Sequence, residues 1–252
     1  MGKTLSPRNP VAEETSFPVP RNNLLSELGE KHQPTKRLHN YLPYYWLHFR
    51  DIRLEVKAVC EIGLQTDRSL RMWEEFFPNA VICGLDIDPA CKRFEGERRK
   101  VFIGNQSDRE FLYSVLDRVG TSFDIVIDDG SHLVEHQQAT FEILFPEMAG
   151  HGIYAIEDTG GCVGDAELQT VNWLKSAVDH IMHWPAGFPP SKWRFLRSFP
   201  EAAWADRNII GVAFYRWLVL VMRGRNPEDN PFLLSEADPA ADPVKPTPPS
   251  AF

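Results

Sequence analysis

From about residue 36 to residue 225, short apolar, β-branched runs alternate with longer stretches in which apolar residues recur every three or four positions. The runs Val56–Ile62, Val81–Leu85, Lys100–Ile103, Phe123–Ile127 and Gly152–Ile156 are mostly apolar on both faces. Strands covered by helices on either side read this way. Between them the spacing predicts helices over Ser69–Phe77, Pro89–Glu97, Ser107–Val119, His132–Met148 and Glu167–His183. Pro89 falls in a first turn, where its missing N–H costs nothing. A Ser107-x-x-Glu110 capping box opens the third of these helices. Such alternation builds strand–helix–strand units and a parallel sheet. The end of the pattern differs: Ile209–Phe214 and Trp217–Met222 are separated only by Tyr215-Arg216. Strands that close together are antiparallel neighbours.

A five-stranded parallel sheet finished by a hairpin is the layout of a Rossmann-like, class I methyltransferase α/β fold, whereas a plain dinucleotide-binding sheet usually ends in a parallel sixth strand. The flanks lack this periodicity. Residues 1–35 carry five prolines and read as a flexible arm, and residues 226–252 hold seven of the chain's 20 prolines and read as a polyproline-like tail. The domain is therefore expected over residues 36–225. No apolar stretch is long enough to span a bilayer, since Ile209–Met222 is interrupted by Arg216. The N-terminus has no leader-like apolar run, although Gly2 and Ser6 match the myristoylation pattern. Cys60, Cys83, Cys91 and Cys162 have no CxxC spacing, and Cys60 and Cys83 lie in strand-like runs, so reduced core thiols in a cytoplasmic protein are expected. A net charge of −8 disfavours nucleic-acid binding through phosphate neutralisation. No membrane partner is expected either, and assembly into a homo-oligomer is left open.

In open α/β sheets, ligands bind beyond the carboxyl ends of the strands. Those positions read Glu61-Ile62-Gly63, Asp86-Ile87-Asp88, Gly104-Asn105-Gln106-Ser107, Asp128-Asp129-Gly130-Ser131-His132 and Glu157-Asp158. Each alone is an ordinary turn or cap; together they make one polar rim. The first turn carries one glycine where a pyrophosphate site needs GxGxxG. S-adenosylmethionine has no phosphate, so Gly63 alone suffices for it, with Glu61 available to its ammonium group. Asp86 stands near the distance expected of an acid that takes ribose hydroxyls. Asp128 is placed with this cofactor set.

The second constellation is Asp128-Asp129 and Glu157-Asp158 at the ends of neighbouring strands. Carboxylates that close repel unless protonated or neutralised by a cation, and all-oxygen donors select Mg²⁺ or Mn²⁺ over zinc. His132, beside this cluster, has the chemistry of a general base. His132-Leu133-Val134-Glu135-His136 also matches the zinc-hydrolase pattern H-x-x-E-H, but no third protein ligand stands out. The aromatic stretch Tyr41–Phe49 reads as a helix packed on the sheet, with one or two tyrosines reaching the site. Trp184 and Trp193 are candidates for an acceptor lid.

On these residues the chain resembles the Mg²⁺-dependent, S-adenosylmethionine-dependent sugar O-methyltransferases, including the rhamnosyl O-methyltransferases. The likeness runs from about Lys31 to Gly224. Its motifs are His39-Asn40-Tyr41-Leu42-Pro43-Tyr44-Tyr45, Ser69-Leu70-Arg71-Met72-Trp73, Gly84-Leu85-Asp86-Ile87-Asp88-Pro89, Gly104-Asn105-Gln106-Ser107-Asp108, Asp128-Asp129-Gly130-Ser131-His132 and Glu157-Asp158. The resemblance implies that Asp129, Glu157 and Asp158 hold magnesium and that His132 is the base. It also implies that Gly63, Ser69, Asp86 and Gln106 contact S-adenosylmethionine and that the acceptor is a hydroxyl of a glycosylated small molecule or glycan. The chain departs from the family pattern at Asp67-Arg68, which replaces a glycine pair, at Asn105, and at Thr159-Gly160-Gly161-Cys162, where aromatic residues are common. A non-catalytic cofactor-binding scaffold and a cephalosporin-hydroxylase-type tailoring protein are the alternative readings.

Overall fold

A computed structural model describes residues 22–159, 170–175 and 208–225. The Pro-rich tail, most of the helix expected over 167–183, and Cys162, Trp184 and Trp193 lie outside the described residues. Seven strands form one sheet: β1 (Ala58–Ile62), β2 (Val81–Asp86), β3 (Arg99–Ile103), β4 (Ile125–Asp128), β5 (Ile153–Glu157), β6 (Ile209–Tyr215) and β7 (Leu218–Arg223). Their order is β3-β2-β1-β4-β5-β7-β6. The first five are parallel, and β7 runs antiparallel to both β5 and β6. This is the class I methyltransferase topology, and the closing hairpin lies where its two-residue connection required.

The helices α1 (Leu24–His32), α2 (Thr35–Leu38), α3 (Leu42–Phe49), α4 (Arg68–Phe76), α5 (Arg109–Val119) and α6 (Val134–Leu144) accompany the sheet, and residues 170–175 are helical as well. Strand alternation divides the core in two. Val59, Ile82, Val101 and Ile127 pack under Leu25, Leu28, Tyr45, Phe49, Trp73 and Phe76 of α1, α3 and α4. Cys60, Cys83, Phe102, Val126 and Tyr154 pack under Leu112, Val115, Phe141 and Leu144 of α5 and α6.

Several local expectations change. α1 corrects the reading of residues 1–35 as a loose arm over its described part. The Asn23 side chain accepts from Ser26 N to cap it, and Leu25 and Leu28 are buried. The stretch after Pro89 is a 3₁₀ helix ending at Phe94 rather than an α-helix reaching Glu97. α5 is capped by Asp108, whose carboxylate accepts from Glu110 N and Phe111 N, so the Ser107 capping box is not formed. Ser107 instead bonds to Asn105. α6 begins at Val134, and His132 precedes it in a left-handed backbone conformation (φ 58°).

Candidate active site

Strand register alone gathers the rim. Ile62 lies opposite Leu85 and Asp128, and Asp128 lies opposite Ile156. The next positions, Gly63, Asp86, Asp129 and Glu157, therefore share one row beyond the carboxyl edge. A cavity of about 580 Å³ opens there. One half of its wall is Gly63, Leu64, Ser69, Asp86, Gly104, Asn105 and Gln106, and the other half is Asp129, Gly130, Ser131, His132 and Asp158.

The first half is built by backbone approach. Gly63 has φ 83°, and a β-carbon there would come within 2.1 Å of the Asp129 carbonyl oxygen. The glycine is thus demanded by the close packing of the β1 and β4 turns. Asp86 accepts from Leu64 N and Asp88 N, which fixes its carboxylate at the cavity edge. Gln106 Oε1 accepts from Ser131 N, while its amide donates to Asp128 and to Thr140. Asp67 and Arg68, the departures from the family pattern, point elsewhere: Asp67 pairs with Arg71, and Arg68 donates to the Gln33 carbonyl.

Seven sequence candidates line the cavity: Gly63, Ser69, Asp86, Gln106, Asp129, His132 and Asp158. Glu61, Asp128 and Glu157 do not, because all three are buried behind its wall. Asp128 holds Gln106 in place and accepts weakly from Tyr154. Burial raises its carboxyl to about 6, against the hydrogen bond from Gln106. It supports Gln106, which lines the cavity, and does not itself line it.

The acidic half carries a group that the sequence did not suggest. Lys36 of α2 is 1% exposed, and its Nζ lies 2.9 Å from Glu61, 2.7 Å from Asp129 and 2.9 Å from Glu157. Burial works against its charge, but the three carboxylates outweigh it and hold the ammonium well above its ordinary range. Burial pushes the carboxyls of Glu61 and Glu157 upward, and Lys36 pulls them down. Glu61 Oε2 has no hydrogen-bond partner. Tyr41, the N-cap of α3, and Tyr45 within it add two phenols one turn apart. Tyr45 donates to Glu157 at 2.5 Å and Tyr41 donates to Asp158 at 2.5 Å, each phenol being held protonated by burial and by the acid it faces.

Asp129, His132 and Asp158 offer donor atoms that all lie within 4.8 Å of one another. Glu157, 1% exposed, stands outside this group, and its Oε1 meets Lys36 and Tyr45. His132 Nε2 is 3.7 Å from Asp158, and His39 Nδ1 approaches the same residue at 3.3 Å. Asp158, like His132, has a left-handed backbone (φ 51°). Two non-glycine residues in that region at one site mark a place where local geometry is imposed by the surroundings, as at functional centres. His136, the second histidine of the H-x-x-E-H match, bonds to Ser131 and does not join the group.

The chain is 37% identical over 223 residues to mycinamicin VI 2''-O-methyltransferase of Micromonospora griseorubida, covering 81% of this chain and 53% of the relative. It is 35% identical to demethylmacrocin O-methyltransferase of Streptomyces fradiae (81% and 54%). It is 33% identical to a rhamnosyl-tetracenomycin 3'-O-methyltransferase of Streptomyces olivaceus (81% and 55%). By sequence and by fold, the chain is related to the sugar O-methyltransferases. A solved structure of the MycE methyltransferase from the mycinamycin biosynthetic pathway, in complex with Mg, SAH and mycinamycin VI, superposes with a TM-score of 0.68 at 35% identity. That match covers 83% of this chain and 57% of MycE. The chain thus spans about half the length of the curated relatives it matches. No protein-family model matches it.

Proposed function

We propose that this chain is an O-methyltransferase that moves the methyl group of S-adenosylmethionine to a hydroxyl on the sugar of a glycosylated small molecule. The observation that carries the reading is the single cavity, whose two halves are a cofactor-type turn and an acid–histidine group. The donor would lie along Gly63, Ser69, Asp86 and Gln106, with the Asp86 carboxylate fixed to accept from ribose hydroxyls. The acceptor would enter on the side of Asp129, His132 and Asp158.

The donor atoms present suit a hard divalent ion, since the group that converges among the described residues is two cavity-facing carboxylates with one imidazole and no cysteine. Asp129 and Asp158 would hold Mg²⁺, with Glu157 the third carboxylate behind them. When bound, the ion supplies Lewis-acid polarisation that lowers the pKa of a sugar hydroxyl. His132 Nε2 takes the hydroxyl proton, and Asp158 beside it stabilises the imidazolium that results. The freed oxygen attacks the methyl carbon as the carbon–sulfur bond breaks, giving a methyl ether and S-adenosylhomocysteine. The sulfonium is already activated, so the protein's work is alignment and proton removal.

The test is methyl transfer from labelled S-adenosylmethionine to glycoside acceptors, with and without EDTA. Transfer that stops on chelation and returns with Mg²⁺ supports the assignment. Full activity in metal-free buffer overturns the metal, and no heat of binding with S-adenosylhomocysteine at millimolar concentration overturns the donor site.

A further inference from the structure

We infer that Lys36 is a resident counter-cation that competes with the divalent ion for Asp129 and Glu157, and so sets how tightly the ion is held. The inference rests on the metal reading above and concerns a residue that touches neither the proposed donor nor the acceptor; Lys36 is a positioning residue.

The argument is geometric. A single ammonium, 1% exposed, reaches three carboxylate oxygens within 2.9 Å. One of these, Asp129 Oδ2, belongs to the cavity-facing group, and another, Glu157 Oε1, belongs to the acid next to Asp158 in the chain. An ion drawing on these oxygens must share them with an ammonium already in contact, and the two cations repel at short range in a poorly solvated site. Lys36 therefore holds the acids together before any ion arrives, and weakens the ion once it does. Glu61 tunes the balance. It is wholly buried, takes one share of the ammonium and lies outside the cavity wall.

The two ends of this arrangement make opposite predictions. Lys36→Met frees Asp129 and Glu157 and should bind the ion at least tenfold more tightly. Glu61→Gln, isosteric and uncharged, leaves Lys36 more fully on Asp129 and Glu157 and should bind it severalfold more weakly. The experiment titrates the full-length protein with Mn²⁺, reading free ion by its electron paramagnetic resonance signal, with near-ultraviolet circular dichroism as the check on fold. A lysine that merely fills space and props the acids apart predicts the reverse for Lys36→Met, namely affinity lost with the arrangement. If Lys36→Met does not fold, Glu61→Gln carries the test. Unchanged or weaker binding in folded Lys36→Met, or unchanged or tighter binding in Glu61→Gln, overturns the inference while leaving the metal site standing. No Mn²⁺ binding by the wild type overturns both.

Discussion

Gly63→Ala isolates the contact on which the two halves of the cavity depend. At φ 83°, alanine costs about 1–2 kcal/mol relative to a right-handed or extended position. The new methyl group would also meet the Asp129 carbonyl oxygen at 2.1 Å and the Gly130 α-carbon at 2.8 Å, both backbone atoms that cannot rotate aside. Relief requires the β4 turn to move by about 1 Å, an overpacking cost of roughly 1–3 kcal/mol. Together these give about 2–5 kcal/mol, a large part of the roughly 5–15 kcal/mol that holds a domain folded. For a chain of this size the melting temperature should fall by about 5–15 °C. The displaced segment carries Asp129, so affinities for S-adenosylhomocysteine and for Mn²⁺ should fall together, each by tenfold or more. Thermal unfolding followed by circular dichroism and calorimetric titration with each ligand measure the three quantities. A variant that melts with the wild type, or that loses one ligand and keeps the other, would refute the claim that one backbone contact registers both halves.

Two further outcomes follow from the same geometry. His132→Gln should lower kcat by about 10²–10⁴ while leaving S-adenosylhomocysteine affinity within about twofold, since the lost group is a base and not a donor contact; an equal loss of affinity in calorimetry would count against the role. Cys60 and Cys83 are wholly buried, and burial pushes the Cys83 thiol up to about 12 and the Cys60 thiol well above its ordinary value. Both should resist maleimide at about pH 8 until the protein is denatured, as read by peptide mapping. A thiol raised on folding contributes stability that is present below about pH 9 and lost as pH climbs toward 12, so Cys83→Ala should flatten the alkaline limb of the stability profile.

The sheet was legible because its signals are local. Each strand is a run of apolar residues that needs no knowledge of its neighbours, and a two-residue link leaves only an antiparallel hairpin, whose turn falls one residue later than the pattern predicts, at Arg216-Trp217. The rim residues were legible for the same reason: they follow the strands, and register then puts Gly63, Asp86, Asp129 and Glu157 in one row. What was missed depends on contacts across the chain. Lys36 lies in a four-residue helix after Pro34, and nothing nearby marks it as buried; its partners are 25, 93 and 121 positions away. Tyr41 and Tyr45 were legible as tyrosines of a packed helix that reach the site, their four-residue spacing putting both on one face, but not their partners, since Asp158 and Glu157 are more than 110 residues on. α1 was hidden by the prolines around it, although Asn23 before Leu24-Leu25 and Leu28 is a capped amphipathic turn. Glu61 and Asp128 end their strands as the rim pattern requires, but their burial behind the cavity wall depends on packing that the strand pattern does not carry.

The layout of charge explains why this edge of the sheet suits a divalent cation better than a structural salt bridge. Glu61, Asp129, Glu157 and Asp158 bring four formal negative charges to one place, and Lys36 offsets one. The phenols of Tyr41 and Tyr45 donate hydrogen bonds but no charge. At an effective dielectric near 20, unit charges about 4 Å apart interact by about 4 kcal/mol, so several uncompensated carboxylates would drive each other apart or take up protons. Burial does push the Glu61 and Glu157 carboxyls upward, and the folded chain holds the group with Lys36 of α2 and with α3, whose packing through Tyr45 and Phe49 is fixed by the apolar core beneath. Buried energy in the hydrophobic layer thus keeps an electrostatically incomplete group in position. A second monovalent cation would still leave excess negative charge, whereas a divalent ion at the cavity side of Asp129 and Asp158 would remove most of it. On the proposed reading the acceptor hydroxyl would enter through that same cavity, so charge completion and substrate approach would fall on a single face.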